Sequence, residues 1–118
     1  MPDTASTQAL LEHHLQAIGE GIDAVMQDFA DDSVVISPDA TYRGLVEIRT
    51  FFTAFLGALH LEGIWDAFEM KRAEVTGELA YILWEAKPWV TLGTDTLVVQ
   101  NGKIVFQTFA LCAASESA

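Results

Sequence analysis

The chain is poor in cysteine, in basic residues and in long apolar runs, and each shortage narrows what it can be. Cys112 is its one cysteine, so no internal disulfide can form and a reducing compartment is tolerated. Only 6 lysines and arginines stand against 17 acidic residues, a formal net charge of −11. Nucleic acids and anionic membranes are held by clustered Lys and Arg, so with no such cluster neither is expected as a partner. No stretch approaches the roughly 18 apolar residues that cross a bilayer. The opening MPDTASTQ also lacks the basic region of a secretory signal, so a cytoplasmic location is expected. Asp28, Asp31 and Asp32 crowd one segment without another ligand at coordinating spacing. They read as a solvated turn, and neither metal nor cofactor is expected.

What the chain does have is apolar residue. Of its 118 residues 51% are hydrophobic, and the mean hydropathy is +0.27. This length suits one domain over 1–118, with ends (1–7 and 113–118) that fray, and buries roughly two-thirds of the unfolded surface. The apolar excess calls for an internal cavity, a subunit interface, or both.

Hydrophobic spacing divides the chain in two. Leu10, Leu11, His14, Leu15 and Ile18 form one stripe of an amphipathic helix that starts near Thr4 or Ser6 and breaks at Gly19 and Gly21. His14 lies within the stripe, while His13 points away beside Glu12. A short second helix from Asp23 buries Val25, Met26 and Phe29, and Ser33–Ser37 is a short strand turned by Pro38-Asp39 towards Thr41, Tyr42 and Arg43. Leu45, Ile48, Phe52, Phe55, Leu56 and Leu59 give a third, strongly apolar helix. Four strands follow, over Phe68–Val75, Leu79–Lys87, Val90–Gln100 and Lys103–Leu111. Helices first and a long antiparallel meander after them make an α+β domain.

The last hairpin is the most informative stretch. Asn101-Gly102 is a two-residue turn signal, so Gln100 pairs with Lys103 and counting outward sets Val99 opposite Ile104, Leu97 opposite Phe106 and Asp95 opposite Thr108. Alternation then puts Asp95, Leu97, Val99, Ile104, Phe106, Thr108, Ala110 and Cys112 on one inward face, and Val98, Val105, Gln107 and Phe109 on the other. In the preceding hairpin a turn at Pro88-Trp89 sets Ile82 opposite Asp95 and Trp84 opposite Gly93, with the indole covering the gap the glycine leaves. A carboxylate on so apolar a face needs a reason, either a pocket role or a structural one accepting bonds from Thr108, Thr94 or backbone.

Two helices, then FADDSVVISP, YRGLVEIRTFF and GTDTLVVQNGKIVFQTF, resemble the nuclear transport factor 2-like (NTF2-like) superfamily over about residues 8–112. The closer similarity is to its SnoaL-like branch, which includes polyketide cyclases and is akin to ketosteroid isomerase. The resemblance implies a cone, a curved sheet folded round the helices with an apolar pocket, usually in a homodimer packed through outer sheet faces. Here Val98, Val105 and Phe109 would form that outer row. It also implies that Asp95 stands where the isomerases keep a protonated, hydrogen-bond-donating aspartate, and His14 where they keep a tyrosine donor. Ser37, before Pro38, occupies the place of their general base.

Asp95 and His14 are therefore the candidate catalytic pair. Ser37, Tyr42, Phe52, Phe55, Trp84, Phe106 and Thr108 are the candidate ligand contacts, while Trp65 and Trp89 could cap the pocket or sit at the interface. No nucleophile motif surrounds Ser37. The functional expectation is a protein binding an apolar small molecule, as an isomerase or cyclase moving a proton next to a carbonyl. The alternatives are a non-catalytic binding module, and a structural dimer whose cone is filled by side chains.

Overall fold

The computed structural model describes residues 4–61 and 63–113. The first helix, α1 (Thr4–Glu20), buries Thr7, Leu11, His14, Ala17 and Ile18. Its start is tied down rather than frayed: the Thr7 hydroxyl donates to the Gly77 carbonyl (2.6 Å), and the Gly77 N–H donates to Thr4 Oγ1 (2.9 Å). The remaining residues of the two expected frayed ends, 1–3 and 114–118, lie outside the described ones. A five-residue helix, α2 (Ile22–Met26), buries Val25, and Phe29 belongs to the strand that follows.

That strand, β1 (Phe29–Ile36), pairs with β2 (Thr41–Arg43) and leads into α3 (Gly44–Leu61). By length and a mean hydropathy of 1.2, α3 could cross a membrane, which contradicts the expectation that no run comes near doing so. In this fold it is a core helix instead, burying Ile48, Phe52, Leu56 and Leu59 and packing on β1 and β2. A 3₁₀ turn at Trp65–Ala67 precedes the meander β3 (Glu69–Thr76), β4 (Leu79–Ala86), β5 (Val90–Gln100) and β6 (Lys103–Ala113).

The six strands make one open sheet in the order β2-β1-β6-β5-β4-β3, antiparallel except for the β1–β6 pair. The three helices pack on the sheet, with α1 against β3 and β4, α3 against β1 and β2, and α2 between α1 and α3. Phe29, Phe51, Phe52, Phe55 and Phe109 meet edge-on or tilted, and in the Phe51–Phe55 pair stacked, at centroid distances of 4.9–6.2 Å. Aromatic contacts of this kind add about 0.5–1.5 kcal/mol each beyond the area they bury. The α+β class, the three helices and the four-strand meander are as the sequence implied.

Register holds in one hairpin and slips in the other. Ile82 lies opposite Asp95 and Trp84 opposite Gly93, and Ala80, Ile82, Trp84 and Ala86 are all buried. The Asn101-Gly102 turn has positive φ at both residues (54° and 75°), as a tight hairpin turn requires. Gln100 faces Lys103 and Val99 faces Ile104, but there the expected count fails. Val98 pairs with Phe106, leaving Val105 as an extra residue, a β-bulge that turns the rest of β6 over. Leu97 therefore faces Gln107 and Asp95 faces Phe109. Phe106 (52% exposed), Thr108, Ala110 and Cys112 point outward, and Gln107 and Phe109 point inward.

Gly93 is the tightest point in the sheet. A Cβ there would lie 2.3 Å from Trp84 Cε2, inside the indole. Gly93→Ala should therefore destabilise the domain by about 1–3 kcal/mol or more in urea unfolding, the usual penalty of overpacking. Adding Trp84→Phe should recover part of the loss; a Gly93→Ala variant as stable as wild type would refute the close packing.

Candidate functional site

Two elements bring the candidate residues together. One is the helix–strand corner at Gln27–Asp28, between α2 and β1. The Ile104 N–H donates to the Asp28 carbonyl (2.7 Å) and Lys103 Nζ donates to the Gln27 carbonyl (2.7 Å), which fixes the corner on the end of β6. The Asp28 side chain is thereby held inside, 2% exposed, beneath α1. It accepts a bond from Nδ1 of His13 (2.7 Å) and another from Nδ1 of His14 (3.1 Å).

Asp28 was expected in a solvated turn and His13 beside Glu12. The first expectation fails because Asp28 is buried at the corner; His13 does lie on the exposed side of α1, and it reaches the Asp28 carboxylate from there alongside His14. A carboxylate oxygen accepts, so each imidazole presents an Nδ1–H to Asp28 and leaves Nε2 pointing away from it. The His14 ring is held edge-on between Phe29 (5.8 Å) and Phe52 (6.0 Å) and lines the interior cavity.

The second element is the middle of β5. Asp95 Oδ1 accepts from Trp84 Nε1 (2.9 Å) and Oδ2 accepts from Gln107 Nε2 (2.9 Å). Its remaining accessible surface belongs to a side chain that lines the same cavity as His14. Burial pushes the Asp95 carboxyl above its ordinary value, and the bonds from Trp84 and Gln107 and the charge of His14 offset that in part. No hydrogen bond joins His14 to Asp95 among the described residues; they meet only across the cavity. The Gln107 carbonyl oxygen is sealed from solvent and lacks a partner among those residues.

The cavity is small. Its volume is about 40 Å³, space for a water or two, walled by Phe52, Trp65, Phe68, Ile82 and Leu97. Outside it opens a cleft of about 700 Å³, and Phe55, Leu59 and Ile64 belong to the walls of both. Ser37, Tyr42, Phe51, Trp89 and Phe109 line this outer cleft.

The candidate ligand contacts thus separate into three groups. Phe52 and Trp84 line the cavity, and Phe55 stands between the two spaces. Ser37 and Tyr42 belong to the outer cleft alone, where Ser37 Oγ binds the backbone of the turn at Asp39 and Ala40. Phe106 and Thr108 line neither space, because the bulge at Val105 turns them to the outer face. Trp65 walls the cavity and Trp89 the cleft. Asp28 and Gln107 were missed. For Asp28 the residues carried a hint, since acidic and imidazole groups occur on neighbouring elements, but the spacing of 14 and 15 residues matches no motif.

A carboxyl held above its ordinary value in the fold makes stability pH-dependent in a definite direction. The folded state then binds more protons than the unfolded chain above the ordinary value of 3.8. The Asp95 contribution is full below that value and is lost as pH rises through the folded pKa. Unfolding free energies in urea should accordingly decline with rising pH in wild type relative to Asp95→Asn; parallel profiles for the two proteins would mean that burial does not shift Asp95.

No curated protein matches the sequence. Solved structures match its shape over most of its length. A nuclear transport factor 2-like protein of unknown function from Burkholderia xenovorans superposes with a TM-score of 0.75 at 19% identity, covering 97% of this chain and 88% of that one. A Kribbella flavida protein provisionally assigned as a ketosteroid isomerase gives 0.70 at 17% identity, with 100% and 86% covered. A Sinorhizobium meliloti protein provisionally assigned as a polyketide cyclase gives 0.69 at 19% identity, with 86% and 93% covered. At such identities the likeness concerns the fold alone. The sequence itself carries the narrower assignment, matching the model of the SnoaL-like domain over residues 11–107. The chain belongs to the SnoaL-like domain family.

Proposed function

We propose that the protein binds an apolar small molecule and moves a proton next to its carbonyl group, as in an isomerisation or an aldol-type cyclisation. The observation that supports this most is that His14 and Asp95 line one small, mainly apolar cavity. On one side His14, oriented by Asp28, offers the Nε2 lone pair as a base, and the Asp28 carboxylate stabilises the imidazolium once a proton arrives. On the other side Asp95, whose carboxyl is raised above its ordinary value by burial, donates in its protonated form a hydrogen bond to the carbonyl oxygen as it becomes an enolate. The proton then returns from His14 to a different carbon, or the enolate carbon attacks a second carbonyl of the substrate, whose π bond opens and whose oxygen takes the proton from His14.

A cavity of about 40 Å³ is far below the roughly 300–1,000 Å³ of a small-molecule site, whereas the outer cleft falls within that range. The body of the substrate therefore lies along the cleft, against Tyr42, Phe51 and Trp89. Only its carbonyl end passes Phe55, Leu59 and Ile64. The same small volume favours a second reading, in which the cleft holds an apolar metabolite and no chemistry follows.

The homodimer belongs to this proposal in a corrected form. Since Phe109 faces inward, the outer apolar row is Leu79, Val98 and Phe106, neighbours across three strands, with Leu79 41% and Phe106 52% exposed. Such a row suits a self-complementary interface. A cytoplasmic setting accords with the exposed free thiol of Cys112.

Two experiments test these statements. Exchange of the α-protons of a benzo-fused cyclic ketone such as 2-tetralone for deuterium in D2O, followed by NMR, should be accelerated by wild type. His14→Gln should lower the rate by about 10²–10⁴-fold and Asp95→Asn by about 10²–10³-fold, with circular dichroism unchanged. Exchange unaffected by either substitution removes the catalytic reading. Light scattering should give wild type twice the chain mass of 12.9 kDa and Phe106→Glu a single chain; a monomeric wild type refutes the interface.

A further inference from the structure

We propose that His13 governs the basicity of His14 through the carboxylate they share, taking the first proton as pH falls and so keeping His14 free as a base into the mildly acidic range. The inference rests on the reading of His14 as the base of the cavity. It adds a positioning residue, one that acts on the substrate only through another.

Three observations carry it. Nδ1 of His13 lies 2.7 Å from Asp28 Oδ1 and Nδ1 of His14 lies 3.1 Å from Oδ2, so one buried carboxylate serves two imidazoles. The two rings differ in setting: the His13 side chain is 46% exposed and that of His14 is 5% exposed. Among the described residues, Asp28 is the only acid within ion-pair distance of either ring.

With both rings neutral the ionised cluster carries one negative charge, and a first proton brings it to zero. A second proton leaves one positive charge with no second carboxylate to answer it, so the rings take up protons as a coupled pair. The first proton goes to His13, where water reaches the ring and solvates the cation. On His14 the same charge would lie between Phe29 and Phe52, largely out of water. Once His13 is charged, Asp28 is already paired, and a like charge on the neighbouring residue opposes protonation of His14. A buried base beside a carboxylate would otherwise fill with a proton early and stop working. The exposed ring prevents this.

The other charges around the cluster do not replace Asp28. Lys103 on β6 is bound to the adjacent Gln27 carbonyl and adds to the opposition to a second proton. On α1, Glu12 is engaged by Gln8 and Glu20 by Gln16, and Asp23 on α2 pairs with Arg49 of α3. Asp31 and Asp32 on β1 are exposed. On β3, Lys71 pairs with Glu69 and Arg72 with Glu74, while β4 meets the cavity with Ile82, Trp84 and Ala86, none of them titratable. Asp95 on β5 lines the same cavity as His14, and burial raises its carboxyl, which narrows the pH range over which it is an anion.

The test follows the imidazole Cε1–H signals by NMR in the full chain without ligand, between pH 8 and 5, assigned with His13→Gln and His14→Gln. In wild type His13 should titrate at the higher pH. His13→Gln keeps a donor towards Oδ1 and removes the charge, so the His14 midpoint should rise by about one pH unit, tenfold in proton affinity. His13→Arg makes the charge permanent, and there the midpoint should lie about one unit below that of His13→Gln. The acid limb of 2-tetralone exchange should follow, moving to higher pH in His13→Gln but not in His13→Arg. A merely structural contact would not separate the two variants in this way. A His14 midpoint common to all three proteins, or a His14 that titrates above His13 in wild type, overturns the proposal even where exchange is catalysed. Midpoints that move as stated in a protein inert towards exchange uphold the coupling and refute only the catalytic reading.

Discussion

One extra residue in the last strand fixes the character of the interior. Val105 has no partner across β5, so every side chain beyond it changes face. Gln107 takes the inward place that Phe106 would hold in an unbroken ladder, and the cavity gains an amide where it would have had a phenyl ring. That amide gives Asp95 its second donor. Without it the carboxyl would have only the indole of Trp84, and burying it would be harder to offset. Phe109, turned inward by the same step, closes the aromatic cluster on α3 and walls the outer cleft.

The interior has a division of labour that follows from which element supplies each group. Residues on the sheet, Trp84, Asp95 and Gln107, form a hydrogen-bonded chain across three strands, held by ladder geometry. His14 stands on a helix and takes its orientation from a corner residue, Asp28, and from two phenyl rings. The first set is rigid because its backbone is paired on both sides. The second depends on the packing of α1 on β3 and β4 and of α2 between α1 and α3, so a change of ligand can move it more cheaply.

Much of the architecture was legible in the residues. Helical spacing from Leu10 to Ile18 and from Leu45 to Leu59 marked two helices, and Asn101-Gly102 marked a turn whose chemistry leaves little choice. The β4–β5 register was readable because Trp84 and Gly93 complement each other in size. What could not be read was the bulge, since Ile104-Val105-Phe106 are all good strand residues and nothing in their identity says which one is unpaired. Phe106 and Thr108 were misplaced for that reason. Asp28 was misjudged for another: its burial depends on the bond from the Ile104 N–H to its own carbonyl and on the bond from Lys103 Nζ to the Gln27 carbonyl, both from more than 70 positions away along the chain.

The contact between Trp84 and Gly93 limits how this interior can change over time. A side chain at 93 has no room while the indole is present, and a smaller residue at 84 deprives Asp95 of a donor. Substitutions at 84, 93 and 95 are therefore ordered: the carboxyl must be lost or given a new partner before the ring shrinks, and the glycine can grow only afterwards. Lineages that abandon the polar centre are free to refill the sheet here, while those that retain it must keep the tryptophan–glycine pair unchanged.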